Sequence, residues 1–303
     1  MKTKQKFIFT STPENSGQRL DQFLHNELSV HSRNQIQKWI KQGAVLLNGQ
    51  PNSPAYSIKL QDKISLEIPP ESISILPDDI DLKVLYEDSS LLIINKPEGL
   101  ITHPTAHQKR GTLVNAVAHY LQNRREKTPF TGERLGLVHR LDKDTSGLII
   151  LAKTTRALAA LARQFKEREI QKTYRAVVIG NIKSRKGRIE GSIGKKVGSF
   201  KMDVISGGKE SQTDFKLLEQ YSGHSYLEIY PRTGRTHQIR VHFAKIGLPV
   251  LGDRTYGPDP EPQTRMMLHA YKIKFIHPIQ KNPVECMAPL PRSFNQVLHE
   301  LPE

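Results

Sequence analysis

Apolar positions in the first part of the chain recur first at helical and then at strand spacing. Leu20, Phe23, Leu24 and Leu28 fall at i, i+3, i+4 and i+8, one face of a helix. A second helix follows: Ser32 with Gln35 three residues on has the form of a capping box, Ile36, Trp39 and Ile40 make the stripe, and Gly43 ends it. Residues 45–47, the pair Asn48-Gly49 and residues 63–68 predict short strands joined through a hairpin and a loop. These elements make a small α+β domain over 16–70. Pro69, Pro70 and Pro77, mixed with Ser and Asp, predict a stiff polar linker over 71–81.

Beyond it the pattern predicts strands at 84–86 and 91–95 around Asp88, Ser89 and Ser90, and a helix over 112–121. Strands at 135–138 and 148–152 flank a polar loop. Thr154 caps a helix with the stripe Leu158, Leu161, Ala162 and Phe165. Further strands fall near 174–179, 213–219, 226–230 and 271–275. Strands cluster without regular βαβ alternation, so 82–303 is expected to be an α+β domain, a mixed, largely antiparallel β-sheet with flanking helices.

The chain has 303 residues, 37% of them hydrophobic, which is enough for one large or two unequal domains with a real core. Lys and Arg total 45 against 30 Asp and Glu, a net charge of +15 that favours a polyanionic partner: nucleic acid, anionic membrane or acidic protein. A membrane fits poorly, because no run of 18 apolar residues occurs and residues 1–12 hold no apolar stretch after their lysines; the expectation is a cytoplasmic protein. A lone cysteine, Cys286, excludes internal disulfides and multi-cysteine metal sites. The pairs His103/His107 and His237/His242 are not in a HExxH frame, so no metal is expected.

The densest polar loop is His139-Arg140-Leu141-Asp142-Lys143-Asp144-Thr145-Ser146-Gly147-Leu148. Arg140 and Lys143 flank Asp142 and would lower its pKa, which suits nucleophilic or electrostatic work better than general acid catalysis. The same residues would serve equally as an Arg–Asp pair that pins a loop. A protein kinase loop is excluded because Leu141 precedes Asp142 and Gly147 stands where Asn is needed. Gly208-Lys209 is followed by Glu210, not Ser or Thr, so there is no P-loop and no nucleotide cofactor is expected. No Gly-x-Ser-x-Gly elbow occurs.

A second dense segment runs Gly234-Arg235-Thr236-His237-Gln238-Ile239-Arg240-Val241-His242. Thr236 is the expected N-cap, Ile239, Phe243 and Ile246 the stripe, and Gly247 the stop. Arg240 then lies beside the buried stripe and must snorkel or meet an acid, for which Asp142 is a candidate. Arg235, Thr236, His237 and the helix N-terminus make a donor-rich end suited to a phosphate, or simply cap residues and surface charges.

The 18–49 region, from Gln18-Arg19-Leu20-Asp21 to Asn48-Gly49, resembles an S4-type RNA-binding domain. That resemblance implies that Arg19, Arg33, Lys38 and Lys41 face a sugar–phosphate backbone; ordinary solvated helix charges would look the same. His139 to Leu148 resembles the His-Arg-Leu-Asp-x-x-Thr-Ser-Gly-Leu signature of the RluA-type pseudouridine synthases, and Gly234 to His242 their Gly-Arg-Thr-His-Gln-Ile-Arg-Val-His segment. Asn95-Lys96-Pro97-x-Gly99-Leu100 and Lys172-x-Tyr174 match in the same family order. With the S4-like domain and His103-Pro104, the chain is most similar to the RluD-type members that act on large-subunit ribosomal RNA.

The resemblance implies isomerisation of uridine to pseudouridine in structured RNA, with a 23S-type ribosomal RNA as expected partner and no cofactor. It implies that Asp142 engages C1′ of the uridine, Tyr174 stacks on the uracil and helps remove the C5 proton, and Arg240 holds Asp142. Arg140 would enter the RNA stack, and Lys96, Arg235 and His237 would contact backbone or give support. A base must leave its stack to expose C1′, at a cost of a few kcal/mol. Three alternatives remain: a non-catalytic ribosome-assembly factor, a synthase directed at transfer RNA, and a glycosidase, which would want a second acid and an activated water.

Overall fold

The computed structural model describes residues 6–28, 33–68, 75–105, 108–124, 135–196, 198–199, 201–259 and 264–302. Ser32, Pro69, Pro70 and His107 lie outside these, and with them the expected capping box and the start of the expected linker. The chain divides into two compact units, Met1–Ser74 and Ile75–Glu303. Among the described residues no helix is long and apolar enough to cross a membrane.

The first unit is a four-stranded sheet with two helices. Its strands are β1 (Lys6–Thr10), β2 (Val45–Leu47), β3 (Gln50–Pro51) and β4 (Lys63–Glu67), in the order β1-β4-β2-β3 and antiparallel throughout. Helix α1 (Leu20–Glu27) buries Leu20, Phe23 and Leu24, and α2 (Arg33–Lys41) buries Ile36, Trp39 and Ile40, as their spacing predicts. Both stripes meet Val45, Leu47, Ile64 and Leu66 in one core. Asn48 and Gly49, both at positive φ, turn β2 into β3.

The second unit is built on a ten-stranded sheet. Its elements in chain order are β5 (Val84–Glu87), β6 (Leu91–Lys96), α3 (Leu113–Asn123), β7 (Ser146–Ala152), α4 (Thr155–Lys166), β8 (Gln171–Ile179) and β9 (Lys186–Lys195). There follow β10 (Met202–Val204), β11 (Lys209–Tyr221), β12 (His224–Pro231), α5 (Gln238–Lys245), β13 (Leu268–Ile276), β14 (Pro283–Met287) and α6 (Arg292–Glu300). The strand order is β10-β9-β11-β12-β8-β13-β7-β6-β5, with β14 paired to β13. Only β13 and β7 run parallel, so the mixed, antiparallel-rich α+β sheet predicted from sequence is the one found.

Strands β6 and β7 read as unbroken apolar runs because both of their faces are covered. Leu91, Ile93, Leu148 and Ile150 meet Ala157 and Leu161 of α4, while Leu92, Ile94, Ile149 and Leu151 meet Leu113, Val114 and Val117 of α3. Burying each such side chain contributes about 1.5–3 kcal/mol.

Three expectations need correction. Residues 135–138 form no strand: Leu137 makes a single bridge to Leu151, and Leu135 stands at positive φ, which breaks the extended run. The strands over 186–195, 202–204 and 283–287 were not predicted; β9 holds three glycines where apolar side chains would mark a strand, and β10 and β14 are only three and five residues long. The second half of the expected linker, 75–81, packs as part of the second unit. Asp78 accepts the Gly111 N–H at 2.7 Å and pairs with Arg110, while Asn115 donates to the Leu76 carbonyl at 2.7 Å.

The parallel contact depends on Gly147. Its φ is +113°, and a Cβ there would overlap the backbone of Ala270 in β13. We expect Gly147→Ala to lower the unfolding free energy of the protein by on the order of 3 kcal/mol, measured by urea denaturation; an unchanged midpoint would contradict this account of the sheet centre.

Candidate active site

The site gathers around Ala270. On one side Ala270 pairs with Gly147, at the start of β7, and on the other with Tyr174 in β8. Two strand spacings, roughly 10 Å, therefore separate the end of the 139–145 loop from Tyr174. The N-terminal end of α5 closes the same side, and a cleft of about 540 Å³ opens between them, lined among others by Arg140, Asp142, Lys172, Tyr174, Arg235, His237 and Arg240.

The loop carrying Asp142 is held by its backbone. The Thr102 hydroxyl donates to the Leu141 carbonyl at 2.7 Å, and Lys96 Nζ donates to the carbonyls of Pro97, Leu100 and Lys143 at 2.8, 2.8 and 2.9 Å. The carbonyls on both sides of Asp142 are thus pinned. Lys96 is wholly buried and burial draws its pKa down to about 7, yet three bonds to carbonyls call for the ammonium form. Of the two roles expected of Lys96, the contact with RNA backbone is corrected and support remains: the side chain is enclosed and holds the loop.

Arg240 and Asp142 meet. Arg240 Nη1 donates to Asp142 Oδ2 at 3.0 Å, while Nε and Nη2 donate to Asp253 at 2.7 and 2.8 Å in a two-pronged pair. Asp253 is 1% exposed and also accepts the backbone N–H groups of Thr255 and Tyr256, at 2.9 and 3.1 Å. The guanidinium lies 5.1 Å from the centre of the Tyr256 ring. Asp253 and Tyr256 were not selected from sequence. The available signal was that a buried arginine needs full neutralisation, and nothing local singled out Asp253 among the remaining acids.

Helix α5 begins one residue later than expected. Its N-cap is His237 in the left-handed region, φ 55°, and not Thr236. No side chain caps the helix; the Gln238 side chain instead ties down the turn before it, Oε1 accepting from Thr233 Oγ1 at 2.6 Å and from the Arg235 N–H at 3.0 Å, while Nε2 donates to the Gln212 carbonyl at 2.9 Å. Ile239 and Phe243 are buried as expected, but Ile246 is 45% exposed past the helix end.

Tyr174 is half-buried in the cleft. Burial, and then the charge of Asp142, raise its pKa well above the ordinary value, so it stays a neutral phenol. A neutral phenol suits stacking on a base and can take a proton only while passing its own on, which narrows the expected role in proton removal. Two groups beside it were quoted only as motif members. Lys172 donates to the Thr233 carbonyl at 3.3 Å and burial lowers its pKa to about 8. His139 stacks on Phe165 at 4.8 Å and accepts the Ile150 N–H at 2.9 Å, and burial lowers its pKa to about 3.

Arg140 is exposed at the cleft, and Arg235 is half-buried, with its Nε on the Glu210 carbonyl at 3.1 Å. In the first unit, Arg19 and Arg33 are both committed to wholly buried Asp21, through pairs of bonds at 3.0 and 3.0 Å and at 3.1 and 3.2 Å. Their outer faces remain accessible, at 45% and 43% exposure, so they join the helices and can still present N–H groups. Lys38 and Lys41 are exposed on α2, opposite its buried stripe.

With this geometry in hand, comparison with known proteins gives a consistent result. The RNA pseudouridylate synthase family model matches residues 90–245, and the S4 domain model matches residues 18–64. Among similar proteins, the ribosomal large subunit pseudouridine synthase D of Xylella fastidiosa (strain Temecula1 / ATCC 700964) is 38% identical, covering 97% of this chain and 92% of that protein. The RNA pseudouridine synthase YlyB of Bacillus subtilis (strain 168) is 37% identical, covering 96% and 97%. The solved human RNA pseudouridylate synthase domain containing 1 aligns with a TM-score of 0.55 at 29% identity, over 76% of this chain and 96% of that one. The human domain containing 4 shares the fold at a TM-score of 0.60 and 24% identity, over 73% and 95%.

Two wholly buried histidines near the site make stability depend on pH. His242 lies between Thr213 Oγ1 and Ser211 Oγ at 2.9 and 2.8 Å, and His269 Nδ1 lies 2.8 Å from Ser146 Oγ; burial lowers both pKa values to about 4. An unfolded histidine titrates near 6.5, so between about 6.5 and 4 the unfolded chain binds more protons and stability falls as pH falls. We expect each to contribute up to about 1.4 kcal/mol per pH unit in that window, measured by urea unfolding; a flat profile between pH 6.5 and 5 would contradict it.

Proposed function

The chain belongs to the RNA pseudouridylate synthase family and is an RNA pseudouridine synthase; from that premise we propose that it acts on large-subunit ribosomal RNA, with Asp142 engaging C1′ of an extruded uridine. One observation carries the assignment of Asp142. Arg240, neutralised by buried Asp253, directs its last Nη1 donor at Asp142 inside a cleft shared with Tyr174.

The reaction breaks the N1–C1′ bond, turns the uracil and joins C5 to C1′; the C5 proton departs and N1 gains one. A carboxylate held beside the ribose stabilises the positive charge that develops at C1′, and it does so best if oriented beforehand. Asp142 meets this need, with its backbone pinned on both sides and Oδ2 on Arg240. The Tyr174 ring offers the uracil a stacking face, and exposed Arg140 stands where it can fill the gap the base leaves. Product and substrate have the same formula, one proton having been exchanged, so the chemistry calls for no consumed cofactor.

Ribosomal RNA is favoured over transfer RNA by the names of the similar proteins together with the S4 match. A glycosidase reading is disfavoured by the absence of a free second acid at Arg240: Asp253 is buried, four times hydrogen-bonded and ion-paired, with a lowered pKa, and cannot serve as general acid. We assign phosphate contacts to Lys38, Lys41, Arg235 and the outer faces of Arg19 and Arg33.

We expect Asp142→Asn to lower release of hydrogen from C5 of uridine in a large-subunit ribosomal RNA fragment by at least about a thousandfold, with RNA affinity changed by less than about threefold. Turnover near wild type would reject the assignment. Converting Lys38 and Lys41 to Gln should reduce the slope of log Kd against log salt by about 1 per lysine, and an unchanged slope would remove the first unit from the RNA contact.

A further inference from the structure

The salt bridge to Arg240 accounts for one oxygen of Asp142, and the other faces an imidazole. Oδ2 accepts from Arg240 at 3.0 Å, whereas Oδ1 lies 3.8 Å from His237 Nε2, longer than a hydrogen bond but with no closer side-chain donor between them among the described residues. That ring cannot turn freely. Its Nδ1 is 2.8 Å from the Tyr256 hydroxyl, and the two rings meet edge to face with centroids 5.6 Å apart.

The hydroxyl in turn favours one tautomer. Tyr256 Oη accepts the Met202 N–H of β10 at 3.0 Å, and an amide N–H can only donate. The phenol proton is thereby free for Nδ1, and with that bond made a neutral imidazole carries its hydrogen on Nε2, toward Asp142. Burial lowers the His237 pKa against the opposing charges of Asp142 and Asp253, with Arg240 and Arg140 also facing it, which keeps the ring neutral. The residue also holds φ 55°, a left-handed conformation that residues other than glycine adopt rarely.

We propose that His237 is a positioning residue for Asp142: it presents Nε2–H to the carboxylate oxygen that Arg240 leaves open, and Tyr256, anchored on Met202 of β10, sets the ring that makes this possible. The inference rests on the reading of Asp142 as the acting carboxylate. With a donor on one oxygen alone the carboxylate can rotate about its last torsion; a donor facing the second oxygen restrains that rotation, and with it the lone pair offered to C1′. Nδ1 is hydrogen-bonded inside the protein and Nε2 faces Asp142, so of the two roles expected of His237, backbone contact or support, support is the one proposed. Docking of β10 thereby becomes part of the site's assembly.

Three variants separate this role from a merely structural one. His237→Gln keeps an N–H near the place of Nε2, and His237→Asn keeps a polar group near Nδ1 but falls short of Asp142. Tyr256→Phe removes the hydroxyl while keeping the ring beneath Arg240. Single-turnover rate constants and Kd are measured on a large-subunit ribosomal RNA fragment, with Tm for each protein. His237→Asn and Tyr256→Phe should slow the single turnover about tenfold with Kd within about twofold, and His237→Gln should regain most of the rate. Equal losses in the Asn and Gln variants, wild-type rates in His237→Asn and Tyr256→Phe, or a loss seen in Kd instead of rate would overturn the proposal. Tyr256→Phe leaves the left-handed turn untouched and decides the matter even if the His237 variants fold poorly. An active Asp142→Asn would remove the underlying reading, whereas an inactive one beside a fully active His237→Asn would reject the positioning role alone.

Discussion

A buried guanidinium shared by two carboxylates is the interaction on which the cleft depends. Arg240 is 7% exposed, and a lone charge at such a site would cost several kcal/mol. Asp253 removes that cost by accepting two bonds from it, and is itself satisfied by two backbone N–H groups. The third donor is then left in a fixed direction, and Asp142 lies along it at 3.0 Å. Two acids and one arginine leave a net negative charge, which in the proposed reaction faces the ribose as it becomes positive. The arrangement is preorganised because Asp253 holds Arg240 independently of Asp142.

The sheet supplies the convergence. Asp142, Tyr174 and Arg240 are far apart in sequence, but β13 brings Gly147, at the end of the Asp142 loop, and Tyr174 to either side of Ala270. The parallel contact there needs a residue without a side chain, which Gly147 provides five positions after Asp142. Buried Lys96 then ties the loop to the segment after β6 through three carbonyls. Packing, loop support and chemistry meet within one short stretch of chain, which is why that stretch is so dense in polar residues.

Much of this was legible in the sequence, for identifiable reasons. Helices α1 and α2 showed their stripes because each buries one face only. The pairing of Arg240 with an acid followed from an arginine set beside a buried helical stripe. What escaped were features decided by distant contacts. Asp253 becomes a ligand of Arg240 only through a turn whose backbone N–H groups also bind it, and no spacing rule reveals that. Lys96, Arg19 and Arg33 read as surface cations, yet Lys96 is enclosed by three carbonyls and the two arginines grip the buried carboxylate of Asp21. His237 took the N-cap position from Thr236 because the turn before the helix is held by the Gln238 side chain on Thr233 and Arg235 and not by a capping hydroxyl.

The central claim is that Asp142, oriented by Arg240, reaches C1′ of a uridine drawn out of its helix. A crystal structure of the protein with a large-subunit ribosomal RNA hairpin carrying 5-fluorouridine at the target tests it most directly. The account predicts the extruded base stacked on Tyr174 and a carboxylate oxygen of Asp142 bonded to, or within about 3.5 Å of, the reacting nucleotide. A target nucleotide lodged in this cleft with Asp142 turned away from its sugar would contradict it.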